Sequence, residues 1–146
     1  MPIVALTMDA ETVYQRRWVI LGILSLSLII TFLNNVTLNV AIPELSEDLR
    51  VDNTEIQWII DAYIIVFGGL LLVMGALGDK FGRKRALLLG LIIIGVVSGS
   101  TAQLADSSED LILARGLMGV GAALVMPATL SLIVVIFPKE ERGKAV

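Results

Sequence analysis

The sequence contains no cysteine and no histidine, and only 17% of its 146 residues are charged. These absences exclude a disulfide framework, thiol catalysis, a Ser-His-Asp triad and most zinc or copper sites. The net charge of -3 argues against a nucleic-acid-binding surface. In contrast, 56% of the residues are hydrophobic and the mean hydropathy is +0.87. This composition is too apolar for an ordinary soluble domain.

Four long segments contain almost no charge. A helix needs about 20 apolar residues to cross a bilayer, and each segment is long enough. In lipid a helix satisfies its own backbone hydrogen bonds, which an open strand cannot do. A water-soluble bundle is disfavoured because the segments lack polar outer faces. We therefore predict an all-α polytopic membrane protein with four transmembrane helices. After a tail of residues 1–17, the helices are predicted at about 18–42, 56–78, 86–105 and 111–137.

The basic residues are distributed unevenly between the segments that connect these helices. Nine of the eleven lysines and arginines lie on one side, and lysine and arginine mark the cytoplasmic side. We therefore expect a protein of the cell membrane whose N-terminus, 79–85 loop and C-terminus are cytoplasmic. The nine residues are Arg16, Arg17, Lys80, Arg83, Lys84, Arg85, Lys139, Arg142 and Lys144.

Two ionisable residues, Asp61 and Arg115, lie inside predicted membrane helices, where such residues are costly and indicate function. By this topology both lie in the outer half of the bilayer, at a depth similar to that of Asn34. The three form one polar cluster if their helices face a common cavity. Each residue also has a separate alternative. Arg115 could snorkel to the outer headgroups, Asp61 could be only a structural partner of Arg115, and Asn34 could simply hydrogen-bond between helices.

Thirteen glycines are concentrated in the helices. Gly95 and Gly99 form a G-x-x-x-G pair of the kind that lets membrane helices approach closely. Packing within the chain is the default interpretation, and dimerisation is the alternative. Pro127 predicts a kink in the fourth helix because it lacks a backbone donor.

The segment Gly75-Ala-Leu-Gly-Asp-Lys-Phe-Gly-Arg-Lys-Arg85 is the most specific stretch of the chain. Gly82 can supply a turn with positive φ. Asp79 could cap the third helix or meet the positive end of another helix. The basic residues that follow can bind carboxylates or lipid phosphates.

This stretch resembles the loop between helices 2 and 3 in the major facilitator superfamily. Three further stretches, in the right order, are similar to motifs of its drug:proton antiporters with fourteen spans. The similarity covers about residues 16 to 146. The three stretches are Leu33-Asn-Asn-Val-Thr-Leu-Asn-Val-Ala-Ile-Pro43, Trp58-Ile-Ile-Asp-Ala-Tyr63 and Leu111-Ile-Leu-Ala-Arg-Gly-Leu-Met-Gly-Val-Gly-Ala-Ala123.

The resemblance implies a role for each matching residue. Arg115 matches a helix 4 arginine held to take part in proton coupling, and Asp61 matches a helix 2 acid of members that export lipophilic cations. The helix 1 motif usually has an aspartate where this chain has Asn34, whose amide cannot titrate, so more of the proton coupling would fall on Asp61. The loop that latches the cytoplasmic gate is matched by Gly75, Asp79, Gly82, Arg83 and Lys84.

The resemblance also implies that the chain is an N-terminal fragment. Residues 18–146 would form a partial N-terminal transporter domain, whose partner is the C-terminal half of the same transporter. The implied function is proton-coupled efflux of lipophilic or cationic drugs, without a cofactor or metal. Alternatives are a carrier of a neutral or anionic metabolite and a small four-helix membrane scaffold. An enzyme is not expected, because phosphate-binding loops and nucleophile–base pairs are missing.

Overall fold

The apolar segments form four helices in the computed structural model, which describes residues 15–48, 51–104, 107–138 and 141. No strand occurs in these described residues, so the predicted all-α class is confirmed. The predicted tail of residues 1–17 lies almost entirely outside them. The helices are α1 (Arg17–Asp48), α2 (Asn53–Phe81), α3 (Arg83–Leu104) and α4 (Ser108–Ile136).

Three of the helices, α2, α3 and α4, are long and apolar enough to cross a membrane. Helix α1 is 32 residues long, and its described apolar stretch is Arg17–Leu33. The helices extend beyond most ends of the predicted spans, because the predictions marked apolar residues whereas a helix continues into its polar caps. The prediction of a loop over residues 79–85 is wrong, because Gly82 alone separates α2 from α3.

Polar side chains cap the N-terminal ends of α2 and α4. Asp52 and Glu55 form a capping box at the start of α2, in which the backbone N–H of Asp52 donates to Glu55 Oε2 at 2.8 Å. Ser107 caps α4 by accepting from the backbone N–H of Asp110 at 3.3 Å. These side chains satisfy backbone donors that a helix start leaves without partners.

Helix α4 is the centre of the packing, with buried residues along most of its length. A Cβ on Gly119 would lie 2.8 Å from the backbone oxygen of Tyr63, and a Cβ on Gly90 would lie 2.6 Å from that of Gly121. Glycine therefore allows α4 to contact the backbones of both α2 and α3. Around this contact, many large apolar side chains face outward, as a lipid-facing surface requires.

The G-x-x-x-G pair of α3 does not serve this purpose. A Cβ on Gly95 or Gly99 would meet no described atom within 4 Å, and both residues are exposed. The expectation that this pair packs within the chain is therefore wrong for the described residues. Close packing uses glycines on the opposite side of α3 and on α4 instead.

Candidate functional site

Arg115 is buried between α2 and α4, with only 2% of its surface exposed. Its Nε donates a hydrogen bond to the backbone oxygen of Ile59 at 3.2 Å. Its guanidinium lies over the ring of Tyr63, 4.4 Å from the ring centroid. A cation–π contact of this kind strengthens when water is excluded. Arg115 thus binds α2 through one backbone and one aromatic partner, and it does not snorkel to a headgroup region.

Asp61 lies on a different face of α2 from the one that contacts Arg115. It follows Ile59 by two residues and precedes Tyr63 by two, which places it roughly 160° around the helix from both. Asp61 is half-buried and lines a groove of about 240 Å³. The other residues lining this groove are Thr54, Gln57, Trp58 and Ile65.

The expected cluster of three polar residues is therefore not what the structure brings together. Among the described residues, ion pairs join Arg17 to Glu141 and Asp79 to Arg83, and Asp61 takes part in neither. The alternative in which Asp61 is the ion-pair partner of Arg115 is not observed. Asn34 belongs to α1, but its side chain lies outside the described residues, so its role stays a prediction.

An apolar cavity of about 630 Å³ lies between α1, α2 and α4. Tyr63, whose ring supports Arg115, forms part of its wall and stacks on Phe67 with ring centroids 6.0 Å apart. Neither aromatic residue was predicted to line a cavity, although their i, i+4 spacing on one face of α2 indicates a shared surface. The other lining residues are Leu28, Ile29, Thr31, Phe32, Leu33, Ile64, Ala122 and Met126.

The predicted gate residues meet at the α2–α3 junction. Gly82 has φ = +110°, a conformation that favours glycine, and its N–H donates to the oxygen of Gly78 at 2.9 Å. Arg83 Nε donates to Asp79 Oδ1 at 2.8 Å, and Arg83 Nη1 donates to the backbone oxygen of Ser131 at 2.9 Å. Arg83 therefore links the α2–α3 junction to α4.

The two remaining gate residues lie at the edges of this junction. A Cβ on Gly75 would approach the side chain of Pro127 on α4 at 3.5 Å, so Gly75 lies at a helix contact. Lys84 is exposed. Asp79 lies in the last turn of α2 rather than before α3, and the ion pair with Arg83 is its observed contact.

Each end of α4 also has a polar contact that was not predicted from the sequence. At the start of α4, Ser108 Oγ donates to Glu55 Oε1 at 2.6 Å and so joins α4 to α2. Beyond the end of α4, Glu141 accepts hydrogen bonds from Arg17 Nε at 3.0 Å and Nη2 at 3.3 Å. Pairs of this kind link residues far apart in the chain, so spacing alone does not indicate them.

Helices of this length and polarity, packed around an apolar cavity, define a multi-pass membrane protein. The model of the Major Facilitator Superfamily matches residues 24–146. The chain belongs to the major facilitator superfamily, and the resemblance found in its motifs is confirmed.

Several curated relatives are named for drug efflux or resistance. The chain is 45% identical over 122 residues to the multidrug efflux pump LfrA of Mycolicibacterium smegmatis, covering 84% of this chain and 24% of that protein. It is 40% identical over 131 residues to the puromycin resistance protein pur8 of Streptomyces alboniger, covering 89% and 26%. It is 40% identical over 126 residues to the methyl viologen resistance protein SmvA of Salmonella typhimurium, covering 86% and 25%. The chain therefore spans about a quarter of the length of these relatives.

Proposed function

We propose that this chain is the N-terminal part of a proton-coupled exporter of lipophilic, cationic drugs. The transporter lies in the cell membrane with its N-terminus in the cytoplasm, and its C-terminal half supplies the other wall of the transport pathway. The names of the relatives support drug efflux, and methyl viologen is itself an organic dication. The distribution of lysine and arginine supports the orientation.

The observation that carries this proposal is the apolar cavity between α1, α2 and α4. Its volume of about 630 Å³ falls in the range of about 300–1,000 Å³ that is typical of small-molecule sites. Aromatic residues in its wall, among them Phe32, Tyr63 and Phe67, suit a flat lipophilic molecule. The faces of such rings also attract organic cations.

Proton exchange is assigned to Asp61. It is a half-buried carboxylate in a membrane helix, where an ionisable residue is costly and indicates function. A cation and a proton then favour opposite charge states of this group, as exchange requires. Asp61 and Tyr63 lie two residues apart on α2, so one helix carries both the proposed proton site and part of the cavity wall.

Arg115 is assigned a structural role behind the cavity wall. Its contacts with the Ile59 oxygen and the Tyr63 ring keep α2 against α4. The alternative carrier of an anionic metabolite would need Arg115 to hold the substrate, and its 2% exposure disfavours that role. Asn34, whose amide cannot titrate, is proposed to contribute to the substrate cavity and not to proton exchange.

The α2–α3 junction is proposed to act as the latch of the cytoplasmic gate. Gly82 makes the turn, and Arg83 joins Asp79 to the backbone of α4 at Ser131. Gly75, one turn before Asp79, keeps α2 close to α4. Lys84 is exposed and is proposed to contact the C-terminal half of the transporter.

The experiment replaces Asp61 in the full-length gene. In membrane vesicles with an imposed pH gradient, Asp61→Asn should lower export of ethidium at least about tenfold, whereas Asp61→Glu should keep most of it. Asp110→Asn, which neutralises an exposed carboxylate at the outer end of α4, is the matched control. Proton-driven ethidium export by Asp61→Asn at the rate of the control would refute the role of Asp61.

A further inference from the structure

The cytoplasmic end of α1 is fixed to the segment after α4 by a two-bond ion pair. Arg17 Nε and Nη2 lie 3.0 and 3.3 Å from the two carboxylate oxygens of Glu141. The two side chains are 17% and 30% exposed, so the pair is partly shielded from water. Two parallel bonds between a guanidinium and a carboxylate set an orientation as well as a distance.

An aromatic contact reinforces the same junction. The ring of Trp18 meets that of Phe137 edge-on, with centroids 5.4 Å apart and planes at 74°. Phe137 is buried with 2% exposure, and a turn in which the N–H of Glu141 donates to the oxygen of Pro138 follows it. The partner of α1 is therefore itself a fixed part of the fold.

The remaining described polar side chains of α1 do not join it to another helix. Ser27 Oγ donates to the oxygen of Ile23 at 2.9 Å, and Thr31 Oγ1 donates to that of Ser27 at 2.8 Å. Both bonds stay within α1. In the part of α1 whose side chains are described, the pair of Arg17 and Glu141 is the polar link to the segment after α4.

The apolar packing of α1 changes along its length. Leu24 is buried with 2% exposure, and Ser27 with 5%. From Leu28 to Leu33 the helix instead lines the cavity. Leu33 is 16 residues beyond Arg17, which is roughly 24 Å along the helix. Helix α1 is thus anchored near Arg17 and borders the cavity from Leu28 to Leu33.

We propose that Arg17 and Glu141 are positioning residues that set the angle of α1 and so the width of the cavity. This inference rests on the proposed function, because it assigns the cavity to the substrate. A small rotation at the anchored end is amplified over the length of the helix. Loss of the pair should therefore weaken substrate binding at a distance without any change in the lining residues.

The test uses the full-length transporter with Arg17→Glu, Glu141→Arg and the double variant in which the two charges are exchanged. Each single variant should raise the KM for ethidium about fivefold, which corresponds to about 1 kcal/mol. The rate at saturation should change less. The double variant should restore the KM. Arg16→Glu is the matched control, because Arg16 is exposed and its replacement makes the same charge change next to Arg17.

A second measurement reports on α1 directly. Spin labels at Ile30→Cys on α1 and Leu113→Cys on α4, both exposed positions, should move to a longer mean distance in Arg17→Glu and return in the double variant. This distance is measured whether or not the protein exports a cation, so failure of the proposed function and failure of the anchor are distinguishable. An unchanged distance in Arg17→Glu, or an unchanged KM in a transporter that exports ethidium, would overturn the inference.

Discussion

Replacement of Gly119 by alanine should separate α2 from α4 and break the contact that holds Arg115. A Cβ at Gly119 would lie 2.8 Å from the backbone oxygen of Tyr63 and 3.2 Å from the backbone nitrogen of Phe67, whereas ordinary contacts begin at 3.4 Å. Backbone atoms cannot rotate away, so the helices must part by about 0.6 Å. Arg115, one turn away, already donates to the oxygen of Ile59 at 3.2 Å, and the same displacement takes that bond beyond hydrogen-bonding distance.

The magnitude follows from two opposing effects. Overpacking costs about 1–3 kcal/mol. The better helix propensity of alanine offsets up to about 1 kcal/mol of this cost. Gly119→Ala should therefore lower the stability of the full-length protein by about 1–2 kcal/mol. Because Tyr63 also forms the cavity wall, export should fall as well.

The assay compares Gly119→Ala with Gly95→Ala in the purified full-length protein. Gly95 also lies in a membrane helix, but its Cβ would meet no described atom within 4 Å, so this control should match or exceed the wild type in stability. Melting in detergent and ethidium export in vesicles are measured for both. Equal melting temperatures and equal ethidium export for Gly119→Ala and Gly95→Ala would show that the close contact at Gly119 does not hold Arg115 in place.

Two further substitutions test the α2–α3 junction. Gly82→Ala places a side chain at φ = +110° and should cost about 1–3 kcal/mol in melting experiments, whereas Gly68→Ala, in open space on α2, should cost none. Arg83→Ala removes the bond to the oxygen of Ser131 and should lower export in vesicles with a loss of about 1 kcal/mol in stability, whereas Arg85→Ala, at an exposed position, should change neither. Equal behaviour of either variant and its control would contradict the latch.

The fold was predictable because its main determinant is local. Four apolar segments of sufficient length dictate helices in lipid, whatever their neighbours are. The turn at Gly82 was predictable for the same reason, since the positive φ depends on one residue type. The caps at Asp52 and Ser107 extend the helices beyond the apolar runs from which the spans were predicted.

The arrangement of the site was less predictable because it depends on which face of each helix meets another helix. In a membrane, a face toward lipid and a face toward protein are both apolar, so composition does not separate them. Gly95 and Gly99 therefore looked like a packing surface, although the close contacts are at Gly90 and Gly119. In the same way, the similar predicted depths of Asp61 and Arg115 in the membrane suggested that they lie close together. In the structure, Asp61 lies on a different face of α2 from the one that contacts Arg115.

The claim that the apolar cavity binds the exported cation can be tested by substrate protection. The chain contains no cysteine, so Met126→Cys places a single thiol of this segment in the cavity wall, where Met126 is 43% exposed. In a full-length protein without other cysteines, tetraphenylphosphonium at about ten times its Kd should slow maleimide labelling of this thiol about tenfold. Gln103→Cys, at an exposed position near the end of α3, should label at the same rate with and without the cation. Equal labelling of Met126→Cys in the two conditions would contradict a cation site in this cavity.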